Sequence, residues 1–169
     1  MTSLQDKLFA LQDKQYAAFQ AKLTPGVPDH CFIGIRVPVL RTFAKEYIKD
    51  MAYMDFLKQL PHTYYDENML HGLLIAEIRN YETCIRLTDA FLPHIDNWAV
   101  CDIMAPKIFA KHKQDLLTKI QSWTQCCPKR FSIKTKKGSK AKVEITTLAK
   151  STTSFTSYGK YNTFRTSDR

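Results

Sequence analysis

The stretch Glu67-Asn68-Met69-Leu70-His71-Gly72-Leu73-Leu74-Ile75-Ala76-Glu77-Ile78 limits the possible folds more than any other part of the chain. Its apolar residues run round every side of a helix instead of along one stripe, so a helix here needs neighbours over most of its surface. At 12 residues it falls short of the roughly 18 to 20 that cross a bilayer. It is expected at the centre of a stack of other helices.

The flanking sequence supplies those neighbours. Starting at Ser3, the residues Leu4, Leu8, Leu11, Ala18 and Phe19 recur near helical spacing, predicting one amphipathic helix that stops at Leu23-Thr24-Pro25-Gly26. A second helix is expected from near Pro38, whose missing N–H costs nothing in a first turn, with Leu40, Phe43, Ala44, Tyr47 and Ile48 on one face. A short helix through Phe56, Leu57 and Leu60 follows, and another starts near Tyr81 and ends by Pro93. The side-chain oxygens of Asp96-Asn97 suit the cap of a helix running from Trp98 through Ile103, Met104, Ile108 and Phe109. A last helix covers Asp115 to Trp123. Segments of this length joined by short turns, without an alternating strand pattern, predict an all-α array. No exact repeat period is visible, so pattern alone leaves a solenoid as one option.

Charge divides the chain in two. The net charge is +9, yet residues 1–127 carry 14 Lys and Arg against 14 Asp and Glu, while residues 128–169 carry 11 against only Glu144 and Asp168. Net charge therefore gives no argument that the folded body binds nucleic acid, which needs a local cluster of basic side chains. Beyond Pro128 the sequence turns to Lys134-Thr135-Lys136-Lys137-Gly138-Ser139-Lys140 and then to a Ser/Thr-rich run. Such a segment buries too little to offset its own ordering entropy. We expect a helical domain at 1–127 and a basic, poorly ordered tail at 128–169, with at most a weak strand near Val143 to Leu148. The five cysteines show no C-x-x-C pair and are expected to be reduced thiols, mostly buried. The chain also lacks a membrane-length apolar run and a leader pattern, so a soluble, cytoplasmic protein is expected.

Three motifs carry a family resemblance. The first is Tyr16-x-x-Phe19-x-x-Lys22-Leu23 followed by Gly34-Ile35-Arg36-Val37-Pro38-Val39-Leu40-Arg41-x-x-Ala44-Lys45. Glu67-x-x-x-His71-Gly72-x-x-Ile75 is the second, and Ile95-Asp96-Asn97-Trp98-Ala99-Val100-Cys101-Asp102 the third. Over residues 10–130 or so the chain resembles the DNA alkylation repair family. The resemblance implies an α-α superhelix of HEAT-like repeats with a concave face for double-stranded DNA bearing alkylated bases. It also implies glycosylase activity on purines alkylated at ring nitrogens, without a metal or other cofactor. In that family a tryptophan and an aspartate four residues later sit at the reaction centre, which Trp98 and Asp102 match. Four residues is about one helical turn, so the two share a face in any case. An alkylated purine is a cationic leaving group, and a carboxylate beside the sugar stabilises the positive charge that develops there. Arg36, Arg41, Lys107, Lys111 and Arg130 are the cations assigned to DNA phosphates.

Each of these residues also has a plainer reading. Trp98 suits a core anchor, and Asp102 a solvated acid near a helix start. Arg36 and Arg41 suit a structural network with Asp50, Asp66 or Glu67. His71 and His94 have no partner at ligand spacing and are expected to be structural. Relatives continue past Lys129-Arg130-Phe131 with apolar helices and a second catalytic tryptophan, where this chain has its tail, as a frameshifted or truncated gene would produce. If so, an apolar face around Leu116, Ile120 and Trp123 would be left uncovered. A non-catalytic scaffold binding nucleic acid or protein, and an inactive remnant, stand beside the glycosylase as alternatives.

Overall fold

The computed structural model describes residues 3–126 and two short strands at 132–134 and 144–146, with the backbone alone for 124–126. Eight α-helices occur among the described residues: α1 Leu4–Phe9, α2 Lys14–Leu23, α3 Val37–Tyr47, α4 Ala52–Phe56, α5 Tyr65–Glu77, α6 Tyr81–Phe91, α7 Trp98–Ile103 and α8 Lys113–Cys126. Short 3-10 turns stand at Asp29–Cys31, Leu92–His94 and Lys107–Ala110. The body is all-α, as its periodicity predicts. Strands β1 (Ser132–Lys134) and β2 (Glu144–Thr146) pair antiparallel, Ile133 opposite Ile145. The rest of the expected tail, Arg130 included, lies outside the described residues.

α5 occupies the centre. Eleven of its residues are buried, and it packs against α3, α6 and α7. Gly72 makes one of these contacts close: a Cβ there would meet Ile103 Cγ2 at 3.3 Å and Met104 Cβ at 3.4 Å. The missing side chain lets α7 lie tight on α5 and so fixes the height at which α7 presents its outer face.

The single first helix expected from Ser3 to Leu23 is two helices. Ser3 caps α1 in a reciprocal capping box with Asp6, and Asp13 caps α2 by accepting the Tyr16 N–H at 3.0 Å. The Asp13 N–H is itself taken by Gly34 O at 3.1 Å, across 21 residues of sequence, which a helix continuing through 10–13 would forbid. Gly34 has φ +87°, a region that favours glycine, and a Cβ would lie 2.7 Å from Ala17 Cβ. Periodicity cannot report such a tertiary break.

Asp66 holds the same junction from below. Although 1% exposed, its carboxylate accepts the backbone N–H groups of Ile33 (2.8 Å) and Gly34 (3.1 Å) at Oδ2 and of Ile35 (2.7 Å) at Oδ1. Burial pushes this carboxyl above the usual range while the three amides pull against it. The segment 33–35 thus has its donors satisfied, and it delivers the chain to α3, which starts at Val37 with proline in its first turn.

α7 is shorter than the expected run to Phe109. It ends at Ile103, and Lys107–Ala110 forms a separate 3-10 turn. Pro106 supplies no N–H and disfavours a helical residue before it, which stops α7 after little more than one turn. α8 begins at Lys113, earlier than Asp115. Leu116, Ile120 and Trp123, expected on an uncovered face, are buried, with Trp123 Nε1 donating to Asp89 Oδ1 at 2.6 Å and its ring 6.5 Å from Phe109.

Candidate functional site

An open groove of about 280 Å³ runs between α2, α3, α5 and α7. Positions 16, 19, 20, 23 and 24 of α2 and its C-cap form one wall, at the i, i+3, i+4 spacing of a single helix face. Opposite stand Trp98, Ala99, Asp102 and Ile103 of α7, with Val37 and Arg41 of α3 at the side and Tyr65 and Met69 of α5 among its lining residues. Three of the residues singled out from sequence, Trp98, Asp102 and Arg41, therefore meet in one place.

Trp98 is 42% exposed, which removes the reading of it as a core anchor. Its indole is nonetheless held: Nε1 donates to Leu23 O at 3.3 Å, one of the last carbonyls of α2, which lack a partner within their own helix. Asn97 caps α7 by accepting the Val100 N–H at 3.1 Å, so the helix carrying Trp98 and Asp102 is fixed at its start. Asp102 is exposed and faces the groove one turn on. Arg41 is the one cation in the lining, and no ion pair engages it among the described residues.

Arg36 sits beside the groove, not in it. Its Nε and Nη2 donate to Asp13 Oδ2 at 3.0 and 2.8 Å, and its guanidinium lies 5.0 Å from the Tyr16 ring centre. The Tyr16 amide and the Arg36 guanidinium hold the Asp13 carboxyl below its ordinary value. The partner anticipated among Asp50, Asp66 and Glu67 is thus Asp13, while Glu67 caps α5 and Asp66 serves backbone amides. Tyr16 in turn stacks on Phe19, ring centres 6.2 Å apart. Tyr16 and Phe19 stand out in the sequence only as part of a motif and Gln20 not at all, yet all three line the groove. Their i, i+3, i+4 spacing was the available signal.

Lys107 and Lys111 lie elsewhere. With Arg79 and Glu77 they line a second groove, of about 340 Å³, at the far end of α5, and Lys107 Nζ is 2.9 Å from Glu77 Oε1. Three cations share that groove with one carboxylate, a local excess that the neutral body as a whole conceals. Arg130 falls outside the described residues.

The histidines do form a partnership. His62 Nε2 and His71 Nδ1 are 2.7 Å apart, and His71 is stacked on Phe91 at 3.9 Å. Burial pushes His62 down to about 4 and His71 to about 3, so both rings are neutral at pH 7. His71 belongs to the buried face of α5, and His62 lies half-buried against it. Among the described residues no group of three or more His, Cys, Asp or Glu is placed to hold a metal ion, and no helix is long and apolar enough to cross a membrane. Of the thiols, Cys84 and Cys101 are buried and Cys31 is half-buried.

Residues 4–129, about three quarters of the chain, match the family model described as "DNA alkylation repair enzyme". No curated protein and no solved structure is a match.

Proposed function

The chain belongs to the DNA alkylation repair enzyme family, and from that premise we propose that it is a DNA glycosylase, excising purines alkylated at ring nitrogens from duplex DNA. The observation that carries this reading is the meeting of Trp98, Asp102 and Arg41 in one groove, with an exposed carboxylate on the same helical face as a half-exposed, oriented indole.

The chemistry follows from the charges. Alkylation at a ring nitrogen makes the purine cationic, so the bond from the base nitrogen to C1′ of the sugar breaks with both electrons passing to the base, which leaves neutral. Positive charge then develops on the sugar. Asp102 stabilises that charge and orients a water, whose oxygen bonds to C1′ while its proton passes through the carboxylate to solvent, leaving an abasic site. The negative face of the Trp98 ring adds attraction for the cationic sugar and excludes water from one side. Arg41 supports a phosphate flanking the lesion, and Arg36 stiffens the Tyr16 wall from outside. Lys107 and Lys111, with Arg79, serve backbone phosphates further along the duplex.

A non-catalytic DNA-binding scaffold is the reading to set against this one, favoured by Trp123, which is buried against Asp89 and Phe109 and gives the groove no second indole. Measuring release of alkylated base from methylated duplex DNA separates them. The parent chain releases base, and Asp102→Asn, matched for folding by circular dichroism, does so about 100-fold more slowly, the scale of losing one electrostatic stabiliser. A folded parent that binds DNA but releases no base leaves the scaffold.

A further inference from the structure

We propose that Gly72 is a positioning residue for the excision chemistry: the absence of a side chain there seats α7 on α5 at the height that puts the Asp102 carboxylate beside the sugar. This rests on the excision reading above and concerns how the protein aims the group that carries it.

Tyr65, Met69, Gly72 and Ala76 follow one another along a single face of α5. Tyr65 and Met69 line the groove that holds Trp98 and Asp102, Ala76 lines the second groove, and between them Gly72 meets α7. The spacing of the two helices at Gly72 therefore sets how far the outer face of α7 stands above the groove floor. Glycine is not required there by the backbone, because Gly72 lies inside α5 without a positive φ. Alanine suits a helix interior better. What glycine supplies is room. A Cβ would lie 3.3 Å from Ile103 Cγ2 and 3.4 Å from Met104 Cβ, inside the roughly 3.5–4.0 Å at which carbon atoms pack best, but at a comfortable 3.6 Å from Val100 O.

The manner in which α7 is held makes this spacing matter most for Asp102. At six residues, Trp98–Ile103, the helix is too short to keep its own shape, so its contacts decide where it sits. Its start is tied twice, by the cap from Asn97, which is buried, and by the Trp98 Nε1 bond to Leu23 O at 3.3 Å. Its far end rests on Gly72 through Ile103, the residue that follows Asp102. A Cβ at position 72 pushes on that far end while the start stays tied, so α7 tilts. Asp102 then moves by a few tenths of an ångström and Trp98 by less. A carboxylate that acts on charge developing in the transition state is sensitive to displacement on this scale. Phosphate contacts made through the long side chains of Arg41, Lys107 and Lys111 are not.

The test follows single-turnover release of 7-methylguanine from duplex DNA, with duplex affinity measured separately, for the parent, Gly72→Ala and Gly72→Ala/Ile103→Leu. Gly72→Ala releases base roughly fivefold more slowly, on a scale of about 100-fold per ångström for a misplaced group. Its duplex Kd stays within about twofold of the parent, since the phosphate contacts are kept. It remains folded by circular dichroism, because the helix propensity of alanine offsets the crowding. Acrylamide quenching of tryptophan fluorescence, which reports mainly on Trp98 because Trp123 is buried, is unchanged. Ile103→Leu keeps the volume but moves the branch away from Cβ, vacating the position that the new methyl meets, so the double variant recovers most of the lost rate. A purely structural role would lower rate and affinity together. Parent-like release by Gly72→Ala, an equal loss of affinity, altered quenching, or a slow rate that Ile103→Leu does not repair overturns the positioning role and leaves the glycosylase reading standing. No release by the folded parent overturns both.

Discussion

Replacing Asp66 by asparagine tests how the groove is held in place. The side chains are nearly isosteric, so packing is preserved while one acceptor oxygen becomes a donor. Two orientations are open to the amide. With its oxygen in the place of Oδ2, the Ile33 and Gly34 amides keep an acceptor and the Ile35 N–H, now at 2.7 Å, faces an NH2 group. Flipped, two amides are lost. The first orientation is the milder, and it leaves one buried donor unsatisfied, costing roughly 1–3 kcal/mol. The remaining two bonds lose their ionic acceptor, which halves their strength and removes about 1 kcal/mol more. Part of this is offset because the carboxylate's own burial is unfavourable, as its raised pKa indicates. The net expectation is a loss of about 2 kcal/mol, or roughly 8 °C in Tm for a body of this size. Urea and thermal unfolding followed by far-ultraviolet circular dichroism measure it. The segment 33–35 leads directly into Val37 and Arg41 of the groove, so DNA affinity of the still-folded variant falls as well. A Tm within about 2 °C of the parent would refute the argument that these three amides depend on a carboxylate.

Stability should also fall with acid. Because His62 and His71 have folded pKa values lowered to about 4 and about 3, the unfolded chain, with histidines near 6.5, binds more protons in this range. Their contribution is present above pH 6.5 and is lost as pH falls below it, at up to about 1.4 kcal/mol per pH unit for each ring. Urea midpoints unchanged between pH 7 and pH 5 would contradict the neutral buried pair. Gly34→Ala, with positive φ and no room against Ala17, is expected to destabilise by about 2 kcal/mol or more, and a parent-like melt would show that the α1–α2 junction gives way easily. Arg41→Gln should weaken DNA binding and lower the salt slope by about one, whereas Lys107→Gln, already paired with Glu77, should do less; equal effects would mean that the Glu77 pair opens on binding.

Much of the fold could be read from local pattern. The all-round apolar run located α5, proline at a first turn located α3, and Asn97 before Trp98 located the start of α7, because each depends on residues within a turn or two of one another. The shared face of Trp98 and Asp102 was legible for the same reason. Less legible were features that join distant parts of the chain. Arg36 reaches Asp13 over 23 residues, Asp66 reaches Ile33 over 33, and Trp98 reaches Leu23 over 75. Sequence offered Arg36 several acids and no means of choosing among them.

By itself, then, the sequence determined that the body is helical, which helix is central, and which residue types can meet on one helical face, since backbone geometry and hydrophobic periodicity act over a few residues, while several helix boundaries lay beyond it. The tertiary structure alone decided that the first helix breaks at Asp13, that Trp98 is an oriented groove wall, and that Lys107 and Lys111 stand apart from it. These outcomes depend on which buried polar groups find partners and how closely helices approach, and both are settled only when distant side chains compete for the same interior.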